Sequence, residues 1–139
     1  MLTNKQNSFD DFAAAGEWLM ENNYTSRKYL TILGRSNGGL LVGASSNQRP
    51  DLFGASLAYV GFVKNLLFIL LRLTSFRVMD MIRFPLFTIG YAWRNEYGDP
   101  QKNKTEFEYI HRYSPLHNIN TNLTIYPQML VLTGQSPCQ

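Results

Sequence analysis

The feature that most constrains this chain is an apolar, partly β-branched run, Tyr29-Leu30-Thr31-Ile32-Leu33. It leads straight into Gly34-Arg35-Ser36-Asn37-Gly38-Gly39 and then into a stretch of helix-forming character. The run reads as a buried strand stopped by Gly34. From Gly38 to about Asn47 the small and apolar residues Leu40, Leu41, Val42 and Ala44 suit a buried helix, which Arg49-Pro50-Asp51 breaks. The turn between them fits G-x-S-x-G. It is tight enough to hold Ser36 in strained backbone geometry. Gly34 and Gly38 carry no Cβ, so strand and helix pack without clash. Ser36 Oγ then stands at the C-terminal edge of a sheet, where open α/β sheets bind ligands. The Asn37 N–H lies at a helix N-terminus and can donate to a developing oxyanion.

A strand running into this turn and a helix running out of it is the nucleophile elbow of α/β-hydrolases. The alternative is a plain strand-to-helix connector, which the flanking elements make the weaker reading. The rest of the chain agrees. Ser8 reads as an N-cap with Asp11 three residues on. Phe9, Phe12, Ala13, Gly16, Leu19 and Met20 then recur at helical spacing until Glu21-Asn22-Asn23. Residues 55–60 and 129–133 read as two further strands, and 105–113 as a helix with Phe107 and Ile110 on one face. Between them lie an aromatic region (84–97), the turn Gly98-Asp99-Pro100 and the loop Ser114-Pro115-Leu116-His117-Asn118. Strands alternating with helices predict a parallel α/β sheet. The fold class expected is thus a partial α/β-hydrolase, truncated at both ends, in one domain over 1–139.

Composition removes other function classes. Thirteen Lys and Arg against ten Asp and Glu give a net +3, scattered with no basic arm for nucleic acid. One cysteine, Cys138, excludes a disulfide framework, and two histidines leave little for a metal, so no cofactor or metal is expected. The most apolar stretch, 62–76, has an unbroken core of only six residues (66–71). A membrane span needs roughly 18 or more. The first eleven residues are polar and unlike a signal peptide, so the expectation is a soluble cytoplasmic chain. The Asn-x-Thr triplets at Asn23, Asn103 and Asn122 then read as chance.

A hydroxyl needs a general base, and the base an orienting carboxylate. In the order Ser, acid, His, the acids downstream of Ser36 are Asp51, Asp80, Glu96, Asp99, Glu106 and Glu108, followed by His111 and His117. His111 falls within a helical pattern and reads as a solvated helix residue. His117 sits in a loop, where backbone hydrogen bonding is the better reading. The residues alone therefore supply a nucleophile and no convincing base.

Several blocks in order resemble the prolyl oligopeptidase family of serine peptidases. They are Gly34-Arg35-Ser36-Asn37-Gly38-Gly39-Leu40-Leu41-Val42, Asn47-Gln48-Arg49-Pro50-Asp51-Leu52-Phe53-Gly54 and Val78-Met79-Asp80-Met81. Thr88-Ile89-Gly90-Tyr91-Ala92-Trp93, Glu96-Tyr97-Gly98, Tyr113-Ser114-Pro115-Leu116-His117-Asn118 and Tyr126-Pro127 follow. The Thr-Ile-Gly-x-Ala-Trp block resembles the prolyl-specific branch rather than the one that cleaves after basic residues. The resemblance implies hydrolysis of short peptides after proline, with Ser36 as nucleophile and the Asn37 N–H as half of the oxyanion hole. It implies Trp93 as the indole on which the proline ring stacks, and Val78 and Tyr97 as further lining. Core packing is the alternative for Trp93, Tyr91 and Tyr97.

The chain departs from the family in four places. No β-propeller is recognisable. The tyrosine that completes the oxyanion hole falls upstream. Gly61 and Val78 are separated by an unlike segment, 62–77. After Gly134 the expected catalytic aspartate and histidine are missing. Segment 62–77 reads as an insertion from an untrimmed intron, or else as a surface helix in which Leu66, Ile69, Leu70 and Leu73 share one face. The mature transcript distinguishes them. Negligible peptidase activity is expected of this polypeptide alone. A non-catalytic proline-peptide-binding module and an esterase-like hydrolase are the alternatives. Oligomeric state is not legible.

Overall fold

The computed structural model describes residues 4–60, 79–86, 90–122 and 125–133. Three strands, β1 (Thr31–Arg35), β2 (Ala55–Val60) and β3 (Gln128–Thr133), form a parallel sheet in the order β1-β2-β3. Leu33 pairs with Leu57 and Leu57 with Leu130, which sets the register across all three. Helix α1 (Gln6–Glu21) precedes the sheet, and α2 (Asn37–Gln48) joins β1 to β2. Among the described residues of the long connection to β3 are two 3-10 turns (Phe84–Leu86 and Gly90–Trp93), α3 (Arg94–Tyr97), α4 (Lys104–His111) and a 3-10 turn (Pro115–His117).

The expected elements are present, with shifted ends. β1 starts two residues late because the Tyr29 and Leu30 N–H groups donate to Ser26 O in a turn at 2.9 Å. Gly34 does not stop the strand. It lies inside it, paired with Ala58, on the pleat side that faces α2. α1 begins before Ser8, with Lys5 at its N-cap and no side-chain cap; Ser8 is an exposed helical residue. α4 is shorter than read. Its cap is Asn103, whose side-chain oxygen accepts the N–H groups of Thr105 (2.9 Å) and Glu106 (3.3 Å). Ile110 is buried there, whereas Phe107, expected on the same face, is 37% exposed.

The core lies between one sheet face and the helices. Phe9 and Ala13 from α1, Leu40, Val42 and Ala44 from α2, and Ile32 and Ala58 from the sheet meet Leu52, Phe53, Met81, Phe84, Tyr97, Ile110 and Tyr113. Their burial at about 25 cal/mol per Å² of apolar surface supplies the main folding drive. The pleat sends Leu33, Tyr59, Leu130 and Leu132 to the opposite face, where all four are exposed. The insertion read at 62–77, and Val78, lie outside the described residues.

One polar knot ties the chain after 78 to the loop before β3. Ser114 Oγ accepts the Met81 N–H (3.0 Å) and bonds His117 Nδ1 (2.8 Å), while the Leu116 N–H donates to Met79 O (2.8 Å). Asn47 Nδ2 donates to Pro115 O at 2.8 Å and fastens α2 to the same loop.

Candidate active site

Ser36 is the single residue between β1 and α2, and its backbone carries the strain that the sequence implies, with φ 56° and ψ −118°. Such a conformation costs of order 1–3 kcal/mol in a residue other than glycine. Both sides of it are tied down. The Ser36 N–H continues the sheet ladder to Tyr59 O (3.0 Å), and Ser36 O accepts the Gly39 N–H (2.8 Å). The residue is exposed. Gly34 makes the sharp turn possible. A Cβ there would lie 2.0 Å from Gly38 O. Gly38 was expected to serve the same purpose, yet a Cβ on it would meet nothing within 4 Å. The close approach is therefore one-sided: Gly38 offers its carbonyl, and only Gly34 must lack a side chain.

Asn37 opens α2, so its N–H is among those with no acceptor inside the helix. Its carboxamide is held from across the chain. Tyr97 OH donates to Asn37 Oδ1 at 2.8 Å, and Asn37 Nδ2 donates to Glu96 Oε1 at 3.4 Å. Lys5 Nζ stands 3.8 Å from that Glu96 oxygen and 5.4 Å from the Tyr97 ring centroid. Burial pushes the Tyr97 phenol well above its ordinary value, and the charge of Glu96 pushes it further. Tyr97 meets Phe84 edge-on at 5.7 Å, and Phe84 stacks on Trp93 at 6.5 Å.

Ser36, Asn37, Trp93, Glu96 and Tyr97 line one cavity of about 100 Å³. Tyr97 is buried and Trp93 half-buried, whereas Tyr91 is 62% exposed and takes no part. A larger cavity of about 370 Å³ lies between α1 and α2, lined by Phe9, Ala13, Glu17 and Arg49 among others; it does not include Ser36.

Among the described residues, no candidate base or acid other than Glu96 lines the serine cavity. His117 bonds a side chain, Ser114 Oγ, rather than backbone, and its Nε2 lies 4.0 Å from Asp80. The trio Ser114, His117 and Asp80 has the residue types of a catalytic triad, but Ser114 is wholly buried and its oxygen already takes the Met81 N–H. His111 packs on Phe107 and His117. Asp51 pairs with Arg49, which holds its carboxyl below the usual range. Asp80 pairs with Arg83, Asp99 with Arg94 and Glu108 with Lys104; Glu106 accepts the Asp99 N–H. Lys5 was missed in the sequence, since nothing in a polar N-terminal stretch signals a partner at position 96.

The pattern of the Prolyl oligopeptidase family matches residues 1–81 and 73–136. This chain belongs to that family. It is 43% identical over 130 residues to the prolyl endopeptidase of Elizabethkingia meningoseptica, covering 94% of this chain and 16% of that protein. A solved prolyl endopeptidase superposes with a TM-score of 0.78 at 46% identity, over 94% of this chain and 16% of the other. Prolyl oligopeptidase B from Galerina marginata, bound to a 25mer macrocyclization substrate, gives 0.76 at 37% identity, again over 94% and 16%. The chain thus spans about a sixth of the length of its relatives, and its parallel sheet with an elbow is part of their α/β-hydrolase-type domain.

Proposed function

We propose that this chain carries the nucleophile and part of the proline pocket of a prolyl endopeptidase-type serine peptidase. The observation that supports this reading best is the strained, exposed Ser36 at the mouth of a cavity walled by Trp93 and Tyr97. Ser36 Oγ attacks the carbonyl carbon on the C-terminal side of a proline. The oxyanion forms against the Asn37 N–H, the amine leaves, and water hydrolyses the acyl-enzyme. The flat apolar proline ring lies on the Trp93 indole. Val78 belongs to the same pocket in this reading. No metal or cofactor takes part, and a cytoplasmic setting suits a chain with one cysteine.

Turnover needs a base that can take the Ser36 proton. Among the described residues no histidine lines the serine cavity, so this polypeptide by itself turns over peptide at a negligible rate. The same observation favours a second reading, a module that holds proline peptides without cleaving them. Segment 62–77 is proposed as an insertion; the family match comes in two pieces that overlap at 73–81, next to the end of that segment.

A fluorophosphonate probe followed by peptide mapping tests the serine. Slow covalent labelling at Ser36, absent in Ser36→Ala, is expected. A proline peptide that changes Trp93 emission with no labelling at Ser36 supports the binding module and removes the peptidase reading.

A further inference from the structure

We propose that Tyr97 and Glu96, backed by Lys5, are positioning residues for the oxyanion donor: they clamp the Asn37 carboxamide and so fix the aim of the Asn37 backbone N–H. The inference rests on the reading of Ser36 as nucleophile. It assigns the Tyr97 hydroxyl a task separate from the pocket contact made by its ring.

Asn37 has a difficult position. It follows a strained residue, it begins a helix, and it is exposed. The first residues of helices fray readily because their N–H groups lack internal partners. Here both ends of the side-chain amide are taken. Oδ1 accepts from Tyr97 OH at 2.8 Å, and Nδ2 reaches Glu96 Oε1 at 3.4 Å. Both partners come from α3, sixty residues away, and neither can drift far. The Tyr97 ring is buried against Phe84. Glu96 is held by Lys5 Nζ at 3.8 Å, and the same ammonium sits 5.4 Å from the Tyr97 ring. The Lys5 charge thus lies against both halves of the clamp. A phenol whose ionisation is opposed by burial and by Glu96 stays protonated, so it remains a donor to Oδ1. Oxyanion stabilisation depends on donors fixed before charge develops, and a donor that swings must be reordered at each encounter. Because the Tyr97 ring lines the cavity that holds Ser36, filling that cavity would also press on the residue that holds Asn37.

The test uses the full chain and two independent readouts. In Tyr97→Phe the ring stays and the clamp loses its donor. In Glu96→Gln an oxygen acceptor stays and the Lys5 pairing is lost. Tyr113→Phe removes another buried hydroxyl and serves as the control. The first readout is the rate at which diisopropyl fluorophosphate, which carries no proline-like ring, labels Ser36. Loss of an oxyanion donor costs about 10²–10³-fold; a misaimed one should cost about tenfold in Tyr97→Phe and a few-fold in Glu96→Gln, with Tyr113→Phe unchanged. The second is the ¹⁵N order parameter of the Asn37 backbone, expected near 0.85, as for rigid backbone, in the parent and about 0.6 or lower in Tyr97→Phe. Unchanged Asn37 order and side-chain NH₂ shifts in both variants overturn the clamp. Absence of label on the parent chain refutes the nucleophile instead, and the Asn37 order parameter still judges the clamp.

Discussion

Replacing Gly34 with alanine should be among the most damaging small changes possible in this chain. The new methyl would lie 2.0 Å from Gly38 O, 2.4 Å from the Gly38 carbonyl carbon and 2.9 Å from Val42 Cγ2. Ordinary contact begins near 3.4 Å, so β1 and the first turn of α2 must part by about 1.4 Å (3.4 − 2.0). Val42 can turn aside. The carbonyl cannot, because Ser36 is bonded to Tyr59 on one side and to Gly39 on the other. Overpacking that side chains absorb costs roughly 1–3 kcal/mol. Moving backbone should exceed that range, so about 3 kcal/mol or more is expected. Gly38→Ala is the matched control. Its methyl meets nothing, and alanine in place of glycine in a helix gains roughly 0.5–1 kcal/mol. At about 4 °C per kcal/mol for a domain of this size, Gly34→Ala should lower Tm by more than about 10 °C and Gly38→Ala raise it by about 2–4 °C. Circular dichroism melts of the two variants decide the matter. Similar shifts in both, or greater damage from Gly38→Ala, would refute the one-sided account of the elbow.

Three further outcomes are expected. Burial pushes the Tyr97 and Tyr113 phenols up, above the usual value of about 10. A raised folded pKa gives stability that is complete below the unfolded value and is lost as pH rises through the folded one. Tm should therefore hold to about pH 9.5 and fall above about 10, with two of the eight tyrosines silent in the 295 nm titration until the chain unfolds; eight tyrosines ionising together in the folded state would contradict this. Ser114→Ala leaves the Met81 N–H without its acceptor in the core and should cost about 1–3 kcal/mol in urea denaturation, whereas Tyr113→Phe removes a buried hydroxyl that has no partner and should be neutral or slightly stabilising. Ser36→Gly should raise Tm by about 4 °C, since glycine adopts φ 56° without the roughly 1 kcal/mol of strain, and Ser36→Ala should not; equal melts of the two would argue against strain at the elbow.

Much of this architecture could be read in advance because it rests on local rules. Period and turn chemistry located α1, α2 and all three strands, since a buried face imposes its spacing on the chain. G-x-S-x-G between a strand and a helix located the bend at Ser36. Ends were less legible. The start of β1 depends on a turn at Ser26, and the start of α4 depends on Asn103 turning its side-chain oxygen onto the N–H groups of Thr105 and Glu106. The aromatic region 84–97 gave no periodic signal because its described residues fold as two 3-10 turns and a single turn of helix.

Sequence by itself determined that a strand bends into a helix at position 36, on a serine with a glycine two residues to either side. It also determined the family, through ordered blocks that no single motif supplies. Only the tertiary structure decided which glycine the bend requires, because the clash depends on the angle at which α2 leaves the sheet. Only it placed Glu96 and Tyr97 on Asn37 with Lys5 behind them, and set His117 on Ser114 away from the serine cavity. The hydrogen bonds and ion pair among Lys5, Asn37, Glu96 and Tyr97 join residues 59 to 91 positions apart. Their energies depend on distance and burial, which are properties of the packed chain and leave no period or spacing along it.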